Sequence, residues 1–104
     1  MERFDVIVIG TGVAGQTAAQ ELAVAGKAVA VTDAREYGGT CALRGCEPKK
    51  VLFTAAEVVE RSQSQAGHGP EGSPRLDRPS LMAFKRSFTE PVPGRIESWL
   101  SEGA

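Results

Sequence analysis

Residues 4–15, FDVIVIGTGVAG, constrain the fold more than any other stretch of the chain. FDVIVI is a continuous, largely β-branched run closed by Gly10, the pattern of a strand buried on both faces. A tight turn comes next, and then a helix to Gly26. The helix's apolar positions Ala14, Ala18, Ala19, Leu22 and Ala23 are small enough to pack closely on a sheet, and Gly26 is a natural stop. AVAVT (28–32) forms a second short strand ending at Asp33. Strand, helix and strand at this spacing make a βαβ unit with parallel strands, and the class is α/β.

The turn itself, GTGVAG (10–15), fits G-x-G-x-x-G. That spacing is weak alone, but here it follows a strand and opens a helix. Gly10 permits the sharp turn, Gly12 lets backbone approach a pyrophosphate, and Gly15 lets helix and strand come close. Free N–H groups and the positive dipole end of the helix would face the phosphates. Asp33, 23 residues beyond Gly10, stands where an acid accepts hydrogen bonds from the adenosine ribose, and it would repel a 2′-phosphate there. The competing reading is a glycine-rich turn in an ordinary packing unit; strand, helix and acid together favour a dinucleotide. FAD and NAD share this fingerprint.

The second informative stretch is GGTCALRGCEPKK (38–50), which holds both cysteines of the chain. Residues five apart in an ideal helix have Cα atoms roughly 8–9 Å apart, whereas a disulfide wants under about 7 Å. Cys41 and Cys46 can therefore bridge only across a distorted turn, and Gly45 and Pro48 supply the means to distort it. A bridge held in such a turn is easily reduced. A helix N-terminus with Arg44, Lys49 and Lys50 is expected to stabilise a thiolate. No metal site is expected, since zinc wants about four ligands and the chain offers two Cys and a distant His68. A structural staple or two unrelated core cysteines are the remaining alternatives.

Elsewhere, one helix is expected over 40–61, with Pro48 disturbing its first turns. Residues 62–79 are polar and rich in Gly, Pro and Ser, and read as an exposed connection containing a solvated His68. From Ser80 to Glu102, Leu81, Phe84, Phe88, Val92, Ile96 and Trp99 form one stripe through Pro91 and Pro93, a kinked helix or two abutting ones serving as core or interface. With 104 residues the chain is at most one small domain. Its net charge of −1 leaves no footprint for nucleic acid or an anionic membrane. The run VIVI (6–9) is too short for a signal peptide or a membrane span, so a cytoplasmic location is expected.

Taken together, FDVIVIGTGVAG, an acid at 33 and GGTCALRGCEPKK closely resemble the N-terminal FAD-binding segment of the pyridine nucleotide–disulfide oxidoreductases, which include glutathione reductase, dihydrolipoyl dehydrogenase and mercuric reductase. The resemblance is strong over 4–60 and extends more weakly to the last helix. It implies FAD in this first dinucleotide fold, with NAD(P)H bound by a later domain. Gly10, Gly12, Ala14 and Gly15 would contact the pyrophosphate, and Asp33, where the family more often has Glu, would hold the ribose. Gly39, Thr40 and Cys41 would lie beside the flavin. Cys41 resembles the thiol that attacks a small-molecule or protein disulfide, and Cys46 the thiol that exchanges electrons with the flavin. Lys49 matches the lysine near the flavin, with Lys50 the fallback. The PKK triplet tilts the resemblance towards glutathione reductase.

The expected architecture is thus an incomplete Rossmann-like FAD-binding domain over 1–104, a βαβ unit (4–33) followed by two helical segments. Nothing in the chain reads as an NAD(P)H-binding domain, a second glycine turn of that kind, or the dimerisation domain of the family's homodimers. An N-terminal fragment, inactive by itself, is the expectation. A non-catalytic nucleotide-binding or thiol-exchange module, or a chain pairing with separately encoded domains, are the alternatives.

Overall fold

The computed structural model describes residues 1–102; the last two positions of the expected 1–104 span lie outside the described residues. The elements are β1 (Val6–Ile9), α1 (Val13–Val24), β2 (Val29–Thr32), α2 (Gly39–Arg44), α3 (Cys46–Ser64), α4 (Arg78–Thr89) and α5 (Val92–Ser101). β1 and β2 pair in parallel, Val6 opposite Val29 and Ile9 opposite Thr32. Asp5 fixes the start of this register: its N–H donates to Ala28 O at 2.8 Å, and the Ala28 N–H donates back to its Oδ2 at 2.9 Å. α1 stops as its sequence dictates. The Gly26 N–H donates to Ala23 O and the Lys27 N–H to Leu22 O, satisfying carbonyls of the last turn.

The described chain is an α/β structure, but its faces are not closed. A compact domain of this length has a radius of gyration of about 13 Å, against 20.0 Å here, with extents of 69 × 23 × 19 Å. The βαβ unit with α5 forms a head, α3 packed on α4 forms an arm, and α2, packed mainly on α3, joins the two. Among the described residues the one hydrophobic side chain that is fully buried is Ala19, 3% exposed, on α1.

β1 is not buried on both faces, as its sequence suggests. Val6 and Val8 are half-buried, whereas Ile7 is 64% and Ile9 83% exposed. A strand's side chains alternate, and only one face of this two-stranded sheet meets helices.

The expected single helix over 40–61 is two. Gly45 ends α2 at φ −130°, ψ −115°, and α3 starts at Cys46. Pro48, the third residue of α3, does not disturb it: the N–H that proline lacks would have no partner in a first turn. α3 then runs to Ser64, beyond the expected end, and no regular structure follows until Arg78. The stripe beyond Ser80 falls on two helices that abut at Glu90–Pro91. Leu81, Val92 and Ile96 are half-buried on it, while Phe84, Phe88 and Trp99 are exposed. Phe84 and Phe88 meet edge to face at 5.1 Å, in solvent and not in a core.

Candidate functional site

The glycine turn folds as tightly as its composition allows. A Cβ on Gly15 would run into the Gly10 carbonyl oxygen and lie 3.5 Å from Val8 Cγ1. Only glycine lets α1 approach β1 this closely. α1 begins after Gly12 with no side-chain cap and no acid in its first turn, so the N–H groups at the positive end of a 12-residue helix are left for an external anion. Those groups, on Val13, Ala14 and Gly15, fit a pyrophosphate; of the other expected contacts, Gly12 lies at the helix start, and Gly10 spends its N–H on Thr32 O at 2.7 Å.

Asp33 ends β2 and turns its carboxylate towards this loop. Oδ2 accepts from the Thr11 N–H at 2.8 Å and from the Thr11 hydroxyl; Oδ1 accepts from the Arg35 N–H at 3.1 Å. These donors, the Thr11 hydroxyl foremost, pull its pKa from the ordinary 3.8 to about 2. An acid that is ionised at any physiological pH thus closes the turn from within.

The cysteine segment is bound to the same point. Gly38 and Gly39 take φ values of 132° and 84°, a conformation side chains rarely adopt. A Cβ on Gly39 would strike the Cα of Gly12, so the two glycine-rich stretches, far apart in sequence, touch backbone to backbone. The Gly38 N–H donates to Thr11 Oγ1 at 3.1 Å. Thr11 is 0% exposed and holds both partners. Sequence reasoning passed over Thr11 and Gly38. The available signal was a hydroxyl residue between the first two glycines of the turn, where any small residue would satisfy the spacing.

Cys41 lies in α2 and Cys46 is the first residue of α3; both are free thiols. The break at Gly45 brings them together. A Cβ there would sit 3.0 Å from Thr40 O and 3.3 Å from Cys41 Cα, tight enough that a side chain would push α2 and α3 slightly apart. Cys41 is half-buried and Cys46 exposed. The neighbouring Cys46 side chain, as hydrogen-bond partner, pushes the Cys41 thiol up, with burial and the Glu47 charge acting the same way. For Cys41 this direction is opposite to the thiolate stabilisation expected from the flanking charges.

Lys50 faces Glu47 at 3.9 Å, and Lys49 and Lys50 with Phe53 and Thr54 wall a separate depression of about 340 Å³ on α3. Thr40 is exposed beside Cys41. The structure therefore brings together Gly12, Asp33 (through Thr11), Gly39 and the segment that carries the cysteine pair, while Lys49 and Lys50 stand exposed one turn beyond Cys46 on α3.

A second stretch, GHGPEG (67–72), also satisfies the glycine spacing, contrary to the sequence expectation of one such turn. It lies after α3 with no strand before it, and added Cβ atoms at Gly67, Gly69 and Gly72 would meet nothing within 4 Å. Spacing without a strand and a helix makes no cradle. No cluster of metal-ligating side chains occurs among the described residues, and none of their helices is long and apolar enough to cross a membrane.

Comparison with known proteins agrees with this geometry. The chain is 37% identical over 100 residues to a dihydrolipoyl dehydrogenase of Thermus scotoductus, covering 96% of this chain and 22% of that protein. It is 42% identical over 66 residues to a glutathione reductase of Burkholderia cepacia, covering 64% and 15%. Among solved structures, a Cu(II) complex of the HOCl-induced flavoprotein disulfide reductase RclA of Escherichia coli, a cysteine-to-serine mutant, superposes with a TM-score of 0.70 at 27% identity, over 99% of this chain and 20% of that one. The chain spans about a fifth of the length of these relatives. Residues 4–95 match the pyridine nucleotide-disulphide oxidoreductase family, and the chain belongs to it.

Proposed function

We propose that this chain is the FAD-binding, dithiol-bearing segment of an NAD(P)H-dependent disulfide reductase. The observation that carries the reading is the Gly12–Gly39 backbone contact, which sets an uncapped, acid-free helix N-terminus against the segment that carries Cys41. Bound there, FAD would take an electron pair from NAD(P)H and pass it to the cysteine pair. Val13, Ala14 and Gly15 would donate backbone N–H groups to its pyrophosphate, and the exposure of Cys46 leaves room for a planar ring against its sulfur.

In the dithiol state, Cys41 Sγ as thiolate attacks one sulfur of a substrate disulfide, whose S–S bond breaks and releases one thiol. Cys46 Sγ then attacks Cys41 Sγ in the mixed disulfide. The second substrate thiol leaves, the Cys41–Cys46 bond closes, and two electrons have reached the substrate. Because Cys46 and burial push the Cys41 thiol up, a base or a cation brought in from outside this segment would assist the attack. Hydride donation requires a second dinucleotide site, and the assembled enzyme would be a homodimer, as the resemblance implies. The relatives include both dihydrolipoyl dehydrogenases and a glutathione reductase, so the substrate class proposed is a dithiol–disulfide couple.

The test is the visible spectrum of the purified chain after incubation with FAD and desalting, followed by stoichiometric dithiol. A retained flavin band that gains a long-wavelength shoulder on reduction is expected. A colourless chain with intact helical circular dichroism would sink the reading for this segment on its own.

A further inference from the structure

The buried Thr11 hydroxyl is used twice, in opposite senses: it donates to Asp33 Oδ2 and accepts from the Gly38 N–H. Gly38 is itself buried, and a Cβ on it would meet Val92 Cγ1 of α5 at 2.6 Å. The segment that leads into Cys41 is therefore wedged between the glycine turn on one side and the start of α5 on the other. Two consecutive glycines are the most freely moving dipeptide a chain can have. Nothing intrinsic to Gly38–Gly39 fixes where α2 begins. The single polar restraint on it from the turn is the Thr11 hydroxyl, which is anchored by a carboxylate.

We propose that Thr11 is a positioning residue for the redox pair: its hydroxyl, held by Asp33, fixes the Gly38 amide and through it the placement of Cys41 against the phosphate-binding turn. Asp33 is then the anchor of this bridge in addition to any contact with a ribose. The inference rests on reading Cys41 and Cys46 as a redox pair. It predicts that the partial protection of Cys41, half-buried where Cys46 is exposed, depends on one oxygen atom in a different part of the sequence.

The experiment alkylates the reduced 104-residue chain with iodoacetamide and follows each cysteine separately by mass spectrometry, in wild type, Thr11→Val and Thr11→Ser. Valine keeps the branched shape and removes the hydroxyl, leaving the Gly38 N–H buried without an acceptor; serine keeps the oxygen. The Cys41-to-Cys46 rate ratio is expected to rise about tenfold in Thr11→Val, the factor for losing one hydrogen bond of ordinary net strength, and to return towards wild type in Thr11→Ser.

General destabilisation would also carry the ratio towards unity, so the rise is read against a variant of equal urea stability altered away from the bridge, such as Leu81→Ala, and a rise no larger than in that control overturns the proposal. A Thr11→Val ratio unchanged from wild type, or a serine variant that does not rescue, overturns the proposal. Should valine prevent folding, amide exchange in the wild type decides. Slow exchange at Gly38 supports the bridge, and exchange at the rate of the Gly67–Gly72 amides overturns it. The redox reading fails separately, if the wild type left with oxidised glutathione forms no Cys41–Cys46 bond. In that reaction the glutathione S–S bond breaks, and two glutathione thiols take up the two protons and two electrons of the pair.

Discussion

In the head, backbone meets backbone. Gly15 lies against the Gly10 carbonyl and Gly39 against Gly12, and the buried Thr11 ties Asp33 to Gly38. In the arm, α3 packs on α4, and its half-buried positions include Val51, Ala55 and Leu81, while Phe53, Phe84 and Phe88 stand exposed. Contacts without side chains leave no slack, because a Cβ cannot rotate away. Contacts between long side chains on two helices can repack. The head should therefore respond to single atoms, and the arm should tolerate the loss of whole rings.

The sharpest way to break that contrast is Gly15→Ala. Alanine is the better helix former by about 1 kcal/mol, yet its Cβ would run into the Gly10 carbonyl oxygen. Overpacking costs about 1–3 kcal/mol and occasionally more, and a fixed backbone atom puts this case at the upper end, so the clash wins. Urea denaturation should show a net loss of stability, with loss of FAD retention; a stabilised variant would refute the close approach.

Acid is a milder probe of the same knot. Asp33 is held near 2 against an ordinary 3.8, so its contribution is complete above the ordinary value and fades as pH falls through that interval. Melting temperature followed from pH 5 to pH 2 should decline in the wild type and decline less in Asp33→Asn, which starts lower.

The smallest effect is expected in the arm. Phe84→Ala removes a ring that is 58% exposed and one half of an edge-to-face pair, worth about 1 kcal/mol or less. Chemical denaturation should barely separate it from wild type. A loss as large as that of Gly15→Ala would mean that the arm, and not the head, carries the stability.

The head was the more legible region for the same reason that it is the more rigid. A strand, G-x-G-x-x-G, a helix and an acid read directly from 4–33 because each is a local demand of the backbone, and Gly15 does what its place in the motif says. The cysteine pair was legible as a pair, and Gly45 as the means of bringing it together. Its electrostatics were not. Arg44, Lys49 and Lys50 flank the pair in the sequence, but Glu47 lies among them, 3.9 Å from Lys50, and Cys46 and burial push the Cys41 thiol up. Charge in a sequence has a position along the chain and no direction.

By itself, then, the sequence determined the βαβ order, the parallel pairing and the glycine turn, because these follow from local geometry at fixed spacing, and its two motifs carried the resemblance to the family. Tertiary structure alone decided three things: that Gly39 rests on Gly12, that Thr11 joins Asp33 to Gly38, and that Ile7 and Ile9 face outward. Each depends on which surfaces meet. A hydroxyl between two glycines looks the same in the sequence whether it is solvated or buried with two partners, and a β-branched residue looks the same on a covered face as on an open one.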